Sequence, residues 1–123
     1  VIPDLVDPFF ASLAHGVEQV ARQKNKQLLL STGLVSAETE MQAINLLIER
    51  RCDVMVVHSK KLSDQVLIGF ANKIPGLVLI DRYIAEIAHR CVWLDNLEGG
   101  KIAARHLLAL NHKDFACILC FYE

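Results

Sequence analysis

Asp81 and Arg82 stand side by side after the apolar run GLVLI and offer the most informative chemistry in the chain. A carboxylate only accepts hydrogen bonds, whereas a planar guanidinium presents five donors, so the pair suits a ligand with several hydroxyl groups. Near the amino terminus, DPFF sets two aromatic rings, Phe9 and Phe10, behind Asp7. The rings would supply apolar faces for the C–H surface of a sugar ring or for a flat base, and Asp7 a third polar contact. Apolar walls with a few placed polar groups describe a binding site. Nothing in this set makes a bound molecule react.

Simpler readings stand beside these. Asp81 and Arg82 could pair at a loop surface, and Asp7 could serve only as a helix cap. Phe10 falls on the buried stripe of the first expected helix and Phe9 does not, so Phe9 is the better cleft wall. His58 reads as a hydrogen-bonded structural residue at a strand end. Lys60 and Lys61 read as a solvated loop, and His106 as a core or edge histidine of its helix.

The elements that position these residues follow from hydropathy. Val1–Ile2 ends a strand. Asp7 caps a helix that has Pro8 at its first position and runs to Asn25, with Phe10, Leu13, Val17 and Val20 at helical spacing. Residues 27–32 read as a strand. Ser36 caps a helix to Arg50, with Met41, Ile44, Leu47 and Ile48 on its buried stripe. A strand at 54–59, a helix from Ser63 and a strand at 77–80 follow. Next come a strand at 91–94, a helix from about Glu98 to Leu110 and a last strand at 115–120. In the last helix Ile102, Ala103, His106, Leu107 and Leu110 point inward, and Asn111 stops it.

Strands that alternate with helices imply an α/β fold: a three-layer parallel sheet with helices on both faces, Rossmann-like in plan. Ligands of such sheets bind at the carboxyl ends of the strands. Asp7, Phe9, Phe10, Asp81, Arg82, Asp95 and Asn96 all fall at those ends.

Composition narrows the classes. The 123 residues are 53% hydrophobic and 22% charged, with a formal net charge of -1, so no global basic field points to nucleic acid. The longest apolar runs fall far short of the roughly 18 residues that span a bilayer, so no membrane partner is expected. Cys52, Cys91, Cys117 and Cys120 read as reduced, buried thiols of a cytosolic protein. On a strand, Cys117 and Cys120 would point to opposite faces and could not share an ion. No metal or other cofactor is expected. No phosphate-cradling GxGxxG or GxxxxGK[ST] loop and no GxSxG elbow occurs, so the chain does not read as an enzyme. Asp4 leaves a phosphoacceptor pocket formally open, without the lysine expected near the last strand.

Four stretches carry a family resemblance: IPDLVDPFF, ERRCDVMVVHSK, GLVLIDR and VWLDNLEGGKIAARHLLALNH. Together they resemble the lactose/galactose repressor family of bacterial transcription regulators. The last is the most specific, D-N-x-x-G-G-x-x-A-x-x-H-L-x-x-x-x-H ending at His112. Within the family, RRC…VVHSK and HRCVWLDN resemble galactose-operon repressors and isorepressors.

The resemblance implies a periplasmic-binding-protein-like type I fold, with residues 1–123 as the N-terminal lobe of an effector domain. It implies D-galactose or a related sugar held between two lobes, operator DNA read by a helix-turn-helix outside these residues, and a cytoplasmic homodimer. Carried over by position, Asp7, Phe9 and Phe10 match the effector-contacting turn, Asp81 and Arg82 the pair that holds effector hydroxyls, and Asp95 and Asn96 the next strand end. His15, Glu18 and Arg22 form a candidate dimer surface. The usual glycine before the closing His112 is Asn111, and the start of the first strand is missing. The alternative is a periplasmic sugar-binding protein of an ABC transporter. Four thiols and the closing motif favour the repressor.

Overall fold

Asp7 accepts a hydrogen bond from the N–H of Phe9 (2.8 Å), and α1 (Pro8–Gln23) starts there as expected. The computed structural model describes residues 1–34, 36–52 and 54–118. After α1, Asn25 takes a left-handed φ of 55°, which closes the helix. The Ser36 hydroxyl caps α2 (Ala37–Glu49) through the N–H of Thr39. Then follow β1 (Val54–His58), α3 (Asp64–Lys73) capped by Ser63, and β2 (Gly76–Ile80). A short 3₁₀ segment, Ala85–Arg90, leads into β3 (Cys91–Val92), and α4 spans Asn96–Ala109.

The sheet is parallel, in the order β1-β2-β3, with Val56 opposite Val78 and Ile80 opposite Val92. Val1 and Ile2 extend it beyond β1: the N–H of His58 donates to the carbonyl of Val1 (2.9 Å), and Ile2 forms a parallel bridge to Thr32. The chain folds into two compact units, Val1–Trp93 and Leu94–Glu123. The core of the first unit is built on Ile44, Val57, Leu67, Leu77 and Leu79, each at most 1% exposed. Burying a side chain of this size stabilises by about 1.5–3 kcal/mol, so this cluster sets the sheet's frame.

Several expectations need correction. Residues 27–32 contribute only the parallel bridge of Thr32 to Ile2 and form no longer ladder among the described residues. On α2 the buried stripe is Glu40, Ala43, Ile44 and Leu47, while Met41 and Ile48 are each 38% exposed. The face is turned so that Glu40 enters the interior. The strand at 91–94 shortens to two residues.

The second unit differs most. Ile102, Ala103, His106, Leu107 and Leu110 are exposed, and α4 buries no residue. A helical stripe is buried only against a second surface, and one helix with its flanks is too small to make a core of its own. Residues 115–118 form no strand and Cys117 is exposed; Cys120 lies outside the described residues. Cys52 and Cys91 are half-buried free thiols. The left-handed stop at Asn111 is present, with φ 61°.

Candidate effector site

β1 ends on His58, and the hydrophobic strand before it carries this imidazole into the interior, where its side chain is 1% exposed. Its ring packs edge-on against Phe10 (centroids 4.9 Å), and Phe10 packs edge-on against Phe9 (5.2 Å). On the other side, His58 Nε2 lies 3.4 Å from Asp81 Oδ2. One contiguous row thus joins the start of α1, the end of β1 and the residue after β2.

Within this row the expected residues take distinct parts. Phe10 is 6% exposed and backs the row, while Phe9 is 54% exposed and presents a free face. Asp7 spends one carboxylate oxygen on the cap of α1. Asp4 accepts from the N–H groups of Val6 and Asp7, which fixes the turn that delivers Asp7 and gives its carboxylate a local structural part. Asp81 adopts a left-handed φ of 57°, uncommon outside glycine, and keeps its carboxylate 43% exposed. Burial pushes the His58 pKa below its ordinary value, and the hydrogen bond and charge of Asp81 partly oppose this. A neutral imidazole at this place has one donor and one acceptor nitrogen. Nδ1 is buried without a hydrogen-bond partner among the described residues.

Arg82 turns away from its neighbour. Its guanidinium donates to the carbonyls of Ser59 (3.3 Å) and Leu62 (2.8 Å) and pairs with the Asp64 carboxylate. The alternative of an Asp81–Arg82 surface pair does not hold: Arg82 pairs with Asp64 and ties the β1–α3 loop to the end of β2, while Asp81 lies beside His58. Asp95 caps α4 by accepting from the N–H of Glu98 (2.9 Å), and Asn96 is the first residue of that helix. Both belong to the second unit.

Sequence reasoning missed five contributors: Glu40, Gly33, His58, Tyr83 and Trp93. Glu40, 2% exposed, accepts from the Ser59 hydroxyl (2.6 Å) and from the N–H groups of Lys60, Lys61 and Leu62 (3.0–3.2 Å). This carboxylate holds the loop against which Arg82 is braced, and Lys60 sits 5.9 Å over the Phe10 ring. Gly33 lets the chain pass close to Glu40: a Cβ there would lie 3.0 Å from its Cγ. Nothing in the spacing of Glu40 marks it as inward. His58, passed over as merely structural, links the aromatic pair to Asp81. Tyr83 and Trp93 form a tilted, half-exposed aromatic pair (4.8 Å) where β2 and β3 end. The strand-end rule that selected Asp81 applies equally to these two rings.

The assembly is a rim of apolar faces with the exposed Asp81 carboxylate beside them, groups whose chemistry suits a hydroxylated ring. No group of three or more His, Cys, Asp or Glu placed to hold a metal ion occurs among the described residues.

Known proteins match this architecture. The family model described as periplasmic binding proteins and sugar binding domain of LacI family matches residues 1–123. The chain is 44% identical over 113 residues to the HTH-type transcriptional regulator GalS of Salmonella typhimurium, covering 92% of this chain and 33% of GalS. It is 39% identical over 112 residues to GalR of Escherichia coli K12, covering 91% of this chain and 33% of GalR. The crystal structure of the Escherichia coli transcriptional repressor AscG superposes with a TM-score of 0.81 at 26% identity, over 90% of this chain and 41% of AscG. The chain spans about a third of the length of the curated relatives it matches. With the parallel sheet and the residues at its carboxyl ends, these matches place the chain in the family of periplasmic binding proteins and LacI-type sugar-binding domains.

Proposed function

We propose that residues 1–123 are the N-terminal lobe of the effector domain of a bacterial transcriptional repressor that responds to a sugar, D-galactose or a close relative. The observation that carries this reading is the row Phe9–Phe10–His58–Asp81 at the carboxyl edge of the sheet. It offers an aromatic face for the C–H side of a pyranose and a carboxylate for its hydroxyls. Asp7 and Arg82 complete this lobe's share, Arg82 chiefly by fixing the loop beside the site, with Asp95 and Asn96 as further contacts. The family and the relatives named as HTH-type transcriptional regulators support a repressor rather than a transporter component.

In this mechanism the sugar bridges two lobes and favours one angle between them. In a cytoplasmic homodimer, that angle sets the spacing of the DNA-reading heads and so the affinity for operator DNA. The sugar acts only through its different affinity for the two states. The exposed face of α1 supplies the dimer surface, with Arg22 paired to Glu18 (2.8 Å) and His15 beside it. No step requires bond making, so the protein works as a sensor and not as an enzyme.

Isothermal titration of the full-length protein with D-galactose, together with an operator-release assay, tests the reading. Heat of binding and release of operator are expected. Absence of both would sink the galactose assignment. Asp81→Ala should lower the affinity at least tenfold, and unchanged affinity in both Asp81→Ala and Arg82→Ala would displace the site.

A further inference from the structure

Glu40 is a carboxylate buried to 2% exposure, and no step of the proposed mechanism uses it. Its Oε2 takes the Ser59 hydroxyl (2.6 Å) and the N–H groups of Lys61 and Leu62 (3.2 Å each), and its Oε1 takes those of Lys60 (3.0 Å) and Lys61 (3.2 Å). Two residues of this loop are held at both ends. Ser59 gives its hydroxyl to Glu40, while its carbonyl accepts from the Nη1 group of Arg82 (3.3 Å). Leu62 gives its N–H to Glu40, while its carbonyl accepts from the same nitrogen (2.8 Å). Glu40 and Arg82 are thus an ion pair relayed through two residues. The anion faces the loop's donors and the cation its acceptors, so the two charges compensate each other across the loop.

The residue before Arg82 is the one under strain. Asp81 holds φ at 57°, and such left-handed values persist in a residue with a side chain only where the surroundings over-determine them. Its N–H donates to the Val92 carbonyl (2.8 Å), which fixes one side of the turn. The loop's grip on the Arg82 guanidinium lies on the other side.

We propose that Glu40 is a positioning residue for the sugar site. Through Ser59 and Leu62 it holds Arg82, and through Arg82 it keeps the left-handed turn that presents the Asp81 carboxylate. Glu40 itself does not touch the sugar, and its part rests on the reading of Asp81 as a contact to a sugar hydroxyl. Gly33 belongs to the same device, since a Cβ there would lie 3.0 Å from the Glu40 Cγ and press on the carboxylate. A glutamine in place of Glu40 keeps nearly the same volume, but its amide nitrogen offers a donor where the loop needs an acceptor. The Leu62 N–H then faces another donor, and the relay to Arg82 slackens.

The test uses the full-length protein, titrated with D-galactose, as Glu40→Gln, Arg82→Lys, Asp81→Ala and the pairs that combine Glu40→Gln with each of the others. Glu40→Gln should weaken binding about fivefold or more with Asp81 present, and less than about twofold once Asp81 is alanine. Arg82→Lys, which loses the planar fork, should cost about as much as Glu40→Gln, and the pair about as much as either alone. Equal losses with and without Asp81, or losses that multiply in the Glu40–Arg82 pair, would overturn the proposal. Amide exchange gives a readout that a general loss of stability does not move. In Glu40→Gln, exchange at Asp81 should quicken about tenfold or more relative to Leu77 in the core. A uniform rise at both would leave Glu40 a merely structural part and overturn the proposal as well. If the unaltered protein takes up no galactose, the effector reading falls, and exchange at Asp81 decides whether the relay holds.

Discussion

The two ends of the sheet in the first unit are finished differently. At the carboxyl end, His58, Asp81, Arg82 and Glu40 are locked to one another's loops by side-chain bonds, while Phe9, the Asp81 carboxylate and the Tyr83–Trp93 pair reach outward. At the amino end, Val54, Leu28 and Leu29 stand open around a slot, with a single buried amine at its base. Both ends use the same strands. The difference shows that a parallel sheet can fix the residues at one end through side-chain bonds while the side chains at its other end stay open. Groups already held in place lose little entropy when a ligand arrives, which is what the proposed sugar site would gain from this end.

Glu40→Ala should cost the most. It strips acceptors from one hydroxyl and three N–H groups at once, and a loss of about 3 kcal/mol or more is expected in urea unfolding. A cost below about 1 kcal/mol would show that water replaces the carboxylate and that the rim is looser than its hydrogen bonds imply.

The buried amine gives the next effect. Its pKa is lower in the folded chain, so the unfolded chain binds the extra proton between pH 8 and pH 6. Stability should therefore fall by roughly 2–3 kcal/mol as the pH drops through that window. Acetylation of Val1 should flatten this part of the profile. A profile unchanged by acetylation would remove the amine as its source.

His58 acts in the same direction over a lower range. Its folded pKa is depressed, so its contribution is complete above the ordinary histidine value of 6.5 and is lost as the pH falls through it. His58→Gln should reduce the slope below pH 6.5 and leave the pH 6–8 limb intact. Comparing this variant with the acetylated chain separates the two ends of the sheet.

The smallest effects on stability belong to Val54→Ser and Phe9→Ala, each within about 1 kcal/mol because both side chains are largely exposed. In the full-length protein they should diverge: Phe9→Ala should weaken sugar binding severalfold and Val54→Ser should not. Equal affinities in the two variants would remove Phe9 from the site.

Much of the frame was legible in the residues. The caps at Asp7, Ser36 and Ser63, the left-handed stops at Asn25 and Asn111 and the apolar strands, expected at 54–59 and 77–80 and found at 54–58 and 76–80, are local features, set by propensity and by hydrogen bonds a few residues long. They needed no knowledge of the rest of the chain. The strand expected at 27–32 and the buried stripe of α4 failed for the complementary reason. A strand needs a ladder partner and an amphipathic face needs a second surface, and neither requirement is written in the segment itself.

The candidate site divides along the same line. Its place at the strand ends, and the presence there of Asp81, Phe9 and Phe10, followed from sequence because topology alone ranks strand ends above other positions. Which partners those residues take was decided only in three dimensions. Arg82 reaches back across the chain to Ser59 and Leu62, Glu40 turns inward to hold the β1–α3 loop, and His58 meets both Phe10 and Asp81. Such contacts join residues some twenty to fifty positions apart, and their geometry depends on how the helices settle on the sheet. Sequence determined the elements and the edge on which the chemistry lies; packing determined which side chains face outward and which are consumed in holding the edge together.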